Sequence, residues 1–179
     1  EQENEKNSKK KQYIEDFLTQ RGFINETLTF GRVKNLWSVK RNNGPLLVFL
    51  GHVDVVPTGP ENEWEHDPFS GYDDGTFING RGTGDMKGGI ACFMSALSRI
   101  DVDNLNYSIG FLITADEEGP SKDGTVKVVE ELLQRNEKID YCLIGEPSTL
   151  ETVGDNIRIG RRGSICLLYT SDAADEYSG

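Results

Sequence analysis

Three apolar runs, LLVFL at 46–50, YSIGFLIT ending at 114 and YCLI at 141–144, constrain this chain more than any other feature. Each has the length of a strand and is too continuously apolar to keep one face in water, the mark of a strand covered on both sides. Between them lie segments with helical spacing. Ile90, Phe93, Met94, Leu97 and Ile100 predict a helix starting just after Asp85, and 124–135 predicts another. Strands alternating with helices imply an α/β fold, a three-layer sandwich around a mostly parallel sheet. Upstream, Tyr13, Ile14, Phe17 and Leu18 predict a helix over 9–21 that stops at Gly22, and 27–30 and 36–39 read as short strands. The polar stretch 57–74 reads as a long loop leading to a turn at Asp73, Asp74 and Gly75.

In such sheets ligands gather beyond the carboxyl ends of the strands. His52, the pair Glu117 and Glu118, and Glu146 each follow one of the three runs. In GHVDVVP, the spacing puts His52 and Asp54 on one side of an extended segment, so the carboxylate can take the imidazole N–H. Alone, that triplet reads as a structural His–Asp pair. The glycines of GRGTGDMKGG fit no phosphate loop, and Asp85 would repel a phosphate. They instead let the backbone bend past metals, and Asp85 can bridge two cations about 3.5–4 Å apart with its two oxygens. Of Glu117 and Glu118, one would bind metal and the other stay free; an isolated pair would read as an exposed acidic turn. Pro147 favours an extended Glu146 that projects from the strand tip, although alone it reads equally as a capping or surface acid. Together these are the parts that turn water into a nucleophile at neutral pH. His66, in EWEHDPF, reads as a solvated loop histidine.

Composition narrows the partners. A net charge of -11 argues against nucleic acid and for a small-molecule substrate. No run of about 18 apolar residues predicts a membrane span, and the opening EQENEKNSKKKQ lacks the apolar core of a secretory leader. Cys92, Cys142 and Cys166 form no CxxC pair, so they read as reduced thiols of a cytoplasmic protein, with Cys92 and Cys142 as small buried hydrophobes.

GHVDVVPTG, ENEWEHDPFSG, GRGTGDMKGG, DEEGPSKDGT, YCLIGEPS and IGRRGS occur in that order. Through them the chain resembles the dinuclear zinc aminoacylase and carboxypeptidase superfamily, and within it the succinyl-diaminopimelate desuccinylase family, over about 9–164. The resemblance implies two zinc ions, with cobalt admissible in one site: one held by His52, Asp85 and Glu146, the other by Asp85 and Glu118. Glu117 would be the general base, Asp54 would orient His52, and Arg161 and Ser164 would contact a substrate carboxylate. It also implies a cis bond between Asp85 and Met86. The reaction would be hydrolysis of the amide of N-succinyl-diaminopimelate. The same site could serve a related deacylase of N-acetylornithine or N-acyl amino acids, and a metal-free interaction module is the reading of another class.

The resemblance further implies a metal-binding His near the family's C-terminus and an inserted lid and dimerisation domain, neither of which this sequence contains. The expectation is therefore a segment, 1–165, of the catalytic domain of a homodimeric enzyme, inactive on its own. The run 166–176, CLLYTSDAADE, is similar to a translated transposon-end adaptor from sequencing libraries, so 166–179 reads as a non-native tail.

Overall fold

The chain divides into two compact units, 1–147 and 148–179, and the computed structural model describes residues 2–160. In the first unit, α1 (Gln2–Thr19) leads to the hairpin of β1 (Ile24–Phe30) and β2 (Val33–Lys40) and then to β3 (Leu46–His52). A long loop carries the small hairpin of β4 (Tyr72–Asp73) and β5 (Ile78–Asn79). The chain continues through α2 (Gly88–Leu97), β6 (Ser108–Thr114), α3 (Thr125–Gln134) and β7 (Tyr141–Ile144).

The five-stranded sheet has the order β1-β2-β6-β3-β7. β3 runs parallel to β6, from Leu46 opposite Ser108 to His52 opposite Thr114, and parallel to β7. Thr114, His52 and Ile144 thus end on one rim. β1 and β2 are antiparallel, and β2 joins β6 antiparallel. The parallel character therefore belongs to the three apolar runs, because a connection of only Gly31 and Arg32 can return the chain only antiparallel.

Side-chain alternation builds the three layers. Ile109, Phe111 and Ile113 of β6 enter a core with Ile14 and Leu18 of α1 and Ile90, Met94 and Leu97 of α2. Leu112, with Trp37, Leu46 and Val48, enters the other core, against Val128 and Leu132 of α3. Phe111 is wholly buried and stacks edge-on to Phe93 at 5.1 Å. Truncating it to Ala would cost about 3–5 kcal/mol through lost transfer energy and the cavity left behind.

Three local expectations need correction. The strands at 27–30 and 36–39 are longer, since their pairing extends from Ile24 opposite Val39 to Phe30 opposite Val33. The helix after Asp85 begins only at Gly88, because a wide turn, Thr83–Lys87, intervenes with Asp85 and Met86 outside helical geometry. Cys92 and Cys142 are exposed rather than buried. Cys142 lies on the edge strand β7, all of whose residues are exposed, and Cys92 lies off the buried stripe Ile90, Met94 and Leu97 of α2. Cys166 and the tail at 166–179 lie outside the described residues, as do Arg161 and Ser164.

Within the second unit, the Asp155 carboxylate accepts the amides of Leu150, Glu151 and Thr152, which holds its pKa below the usual carboxylate range. The Asn156 side-chain amide donates to the Ser148 carbonyl at 2.7 Å. Among the described residues, no helix is long and apolar enough to cross a membrane.

Candidate metal centre

His52 closes β3 with 1% of its surface exposed. Its backbone N–H donates to the Met86 sulfur at 3.2 Å, so the turn before α2 is seated directly on the strand end. That close approach needs glycines. A Cβ on Gly89 would overlap the Gly145 carbonyl oxygen, and Gly82 adopts φ +80°, a left-handed conformation that side chains disfavour. The Asp85–Met86 peptide is cis, as the resemblance implies.

The imidazole is polarised along one direction. Nδ1 lies 3.0 Å from the Asp54 carbonyl oxygen and 3.5 Å from its carboxylate Oδ1. A carbonyl only accepts, so Nδ1 carries a proton, and Nε2 is the atom that could serve as a ligand once it gives up its own. Nε2 faces Asp85 Oδ1 at 3.1 Å, Glu146 Oε1 at 3.4 Å and Glu117 Oε2 at 4.0 Å.

Asp54 does more than the sequence suggested. The carbonyl, not the carboxylate, is the nearer partner of His52. Oδ2 of the carboxylate instead accepts the amides of Glu117 at 3.0 Å and Glu118 at 2.9 Å. One buried acid therefore ties the end of β3 to the acidic turn after β6. The turning backbone explains how adjacent glutamates, which would oppose each other in a strand, reach the same cleft.

Four of these groups titrate away from their ordinary values. Burial by itself lowers the His52 pKa, but the side chain and carbonyl of Asp54, with the Glu146 charge, outweigh it and raise the ring to about 9. Burial, then the charge and hydrogen bond of Asp85, push Glu146 up to about 7. Burial and the charges of Asp85 and Glu117 raise Glu118 as well. Asp54 goes the other way: burial would raise it, but His52 and the two amides hold it below the usual range.

Two overlapping groups offer ligand atoms within 4.8 Å of one another: His52, Glu117 and Glu146, and His52, Asp85 and Glu118. An imidazole nitrogen with carboxylate oxygens is a donor set suited to zinc and similar divalent ions. The four strand-end candidates meet here together with Asp85 of the glycine-rich turn, and His66 does not: it stacks on Tyr72 at 3.7 Å between ring centroids.

The sequence pattern of peptidase family M20/M25/M40 matches residues 48–175. The chain belongs to that family. It is 56% identical over 146 residues to succinyl-diaminopimelate desuccinylase of Marinobacter nauticus, covering 80% of this chain and 39% of that protein. It is 54% identical over 155 residues to the enzyme of the same name from Hydrogenovibrio crunogenus, covering 85% and 41%. The chain thus spans about two fifths of the length of these curated relatives.

The fold is shared with solved structures at lower identity. An M20 family metallo-carboxypeptidase from Sulfolobus solfataricus superposes with a TM-score of 0.68 at 22% identity, over 78% of this chain and 32% of that one. Human carnosine dipeptidase 1 gives 0.65 at 23% identity, over 74% and 31%. The family and the donor set both point to a divalent metal.

Two residues that hold the site escaped the sequence reading. Asp116 is buried and accepts amides from the loop that follows Glu118, and Asn35, on β2, donates to the Asp123 carbonyl at 3.0 Å. The signal for Asp116 was its place in ADEEG, where the adjoining pair drew attention away from it. Asn35 carried no local signal.

Proposed function

We propose that this chain is part of a zinc-dependent amidohydrolase that releases succinate from N-succinyl-diaminopimelate. The observation that supports it most is the convergence of Asp85, Glu117, Glu118 and Glu146 on the buried His52. The names of relatives near 50% identity supply the substrate.

His52, Asp85, Glu118 and Glu146 would hold two zinc ions, with cobalt admissible in one site. When bound, such ions polarise an amide carbonyl and lower the pKa of water to about 7. Glu117 is the general base: a carboxylate oxygen takes a proton from the attacking water and returns it to the departing nitrogen. Asp54 keeps the His52 proton on Nδ1 and holds the Glu117 and Glu118 amides in place. Arg161 and Ser164 would receive a carboxylate of the substrate, the guanidinium through paired hydrogen bonds. The product, diaminopimelate, enters lysine and cell-wall precursor synthesis. The complete protein acts in the cytoplasm as a homodimer, and the present chain, at two fifths of its relatives' length, is inactive alone.

The test is an assay of the complete protein against N-succinyl-diaminopimelate, N-acetylornithine and N-acyl amino acids. Succinate release should dominate and fall about 10²–10⁴-fold in Glu117→Gln. Preference for an acetylated substrate would reassign the enzyme to a related deacylase. Absence of zinc uptake would leave the interaction module.

A further inference from the structure

Asp116 adjoins the two glutamates yet lies outside both ligand groups. Only 7% of it is exposed. Its Oδ1 accepts the Ser121 amide at 3.1 Å, and its Oδ2 accepts those of Lys122 and Asp123, each at 2.9 Å. A Cβ on Gly119 would crowd Oδ1, so the loop wraps the carboxylate closely. Ser121 has φ +54°, a left-handed conformation costing a non-glycine residue about 1–3 kcal/mol, and three charge-assisted bonds offset it. The Ser121 hydroxyl then donates to the Glu117 carbonyl at 2.6 Å.

The acidic loop is thus held from both sides. Asp54 takes its first two amides and Asp116 its last three, while the Ser121 hydroxyl links the two halves. Neither carboxylate alone fixes both the position and the direction of the Glu117–Glu118 backbone.

We propose that Asp116 is a positioning residue for the metal centre, which sets the aim of Glu117 and Glu118 by closing the loop that bears them. The role rests on those glutamates serving a metal site. Asp116→Asn preserves shape but turns one acceptor into a donor; Asp116→Ala removes all three bonds.

The experiment uses the whole 179-residue chain. Zinc is titrated by calorimetry into wild type, Asp116→Asn and Asp116→Ala, the metal-free proteins are melted, and amide hydrogen exchange is followed in wild type. Zinc affinity should fall about tenfold in the Asn variant and towards 100-fold in the Ala variant. The metal-free Asn variant should melt cooperatively, and the amides of Ser121, Lys122 and Asp123 should be protected in wild type. A purely structural residue would lower the melting temperature and leave the zinc affinity of the folded protein unchanged. Equal zinc affinity in the Asn variant, unprotected amides in wild type, or loss of fold in both variants overturns the role. A wild type that takes up no zinc overturns the metal-site reading itself, and this role with it.

Discussion

The rim around His52 and the long loop around His66 are both rich in acids, and each holds one of the chain's two histidines. They use their carboxylates in opposite ways. In the loop, Asp67 accepts the Phe69 amide, Asp73 the Gly75 amide, and Asp74 the amides of Thr76 and Phe77 and the side chain of Asn79. These bonds make turns, and Asp74 is held below the usual carboxylate range by the amides of Phe77 and Thr76. At the rim, Asp54 makes the local bonds, so Asp85, Glu117, Glu118 and Glu146 can turn towards the His52 imidazole, where burial and the charges of Asp85 and Glu117 raise Glu118 and Glu146. The number of acids does not distinguish a binding site from a solvated loop; carboxylate oxygens converging on one point do.

The largest contrast should come from the histidines themselves. His52→Ala should weaken zinc binding by on the order of 100-fold or more, since the proposed function makes it a direct ligand and such a ligand counts for more than its supporting partners, whereas His66→Ala should bind as wild type does. Calorimetric titration checks both, and equal effects would erase the distinction between the regions.

Asp54→Ala should come next. It keeps the backbone carbonyl bonded to His52 but removes the acceptor of the Glu117 and Glu118 amides. Zinc affinity should fall about 10–100-fold. A loss as deep as that of His52→Ala would mean that the carboxylate, and not the carbonyl, governs the imidazole.

The pH dependence should sharpen the comparison further. Glu146 and His52 both bind protons more tightly in the folded, metal-free state than in the unfolded chain. The penalty at Glu146 grows as pH rises from its ordinary 4.5 to about 7, and the contribution of protonated His52 is lost from 6.5 to about 9. Both signs agree, so melts in chelator should show these two groups lowering stability across that range. Zinc affinity should rise over the same range, because protons and metal compete for the same atoms. Glu146→Gln should flatten the lower part of the stability curve. A metal-free Glu146→Gln curve as steep as that of wild type between pH 4.5 and 7 would mean that Glu146 is not strained by its neighbours.

The smallest effect belongs to the loop. Asp74→Ala should leave zinc affinity unchanged while speeding amide exchange at Thr76 and Phe77, whose acceptor it removes. Altered zinc binding in this variant would show that the loop takes part in the metal centre.

The same contrast explains what could be read in advance. The apolar runs of β3, β6 and β7, the helical stripes of α2 and α3 and the turn at Gly75 follow from periods of a few residues, and the sequence displays them directly. His52, Glu117, Glu118 and Glu146 were legible because each follows an apolar run, and Asp85 because glycines flank it. The exposure of Cys142 was not, since it depends on β7 being an edge strand. Nor was the bond from Asn35 to the Asp123 carbonyl, made across the fold with nothing local to mark it.

By itself, then, the amino-acid sequence determined which residue types could serve as ligands and which strand ends would carry them, because local periodicity sets secondary structure and side-chain direction. Only the tertiary structure decided which oxygen met which partner: that the Asp54 carbonyl faces His52 while its carboxylate holds two amides, and that Asp116 closes the acidic loop. Hydrogen bonds tolerate errors of only a few tenths of an ångström. Positions at that scale come from the packing of distant segments against one another.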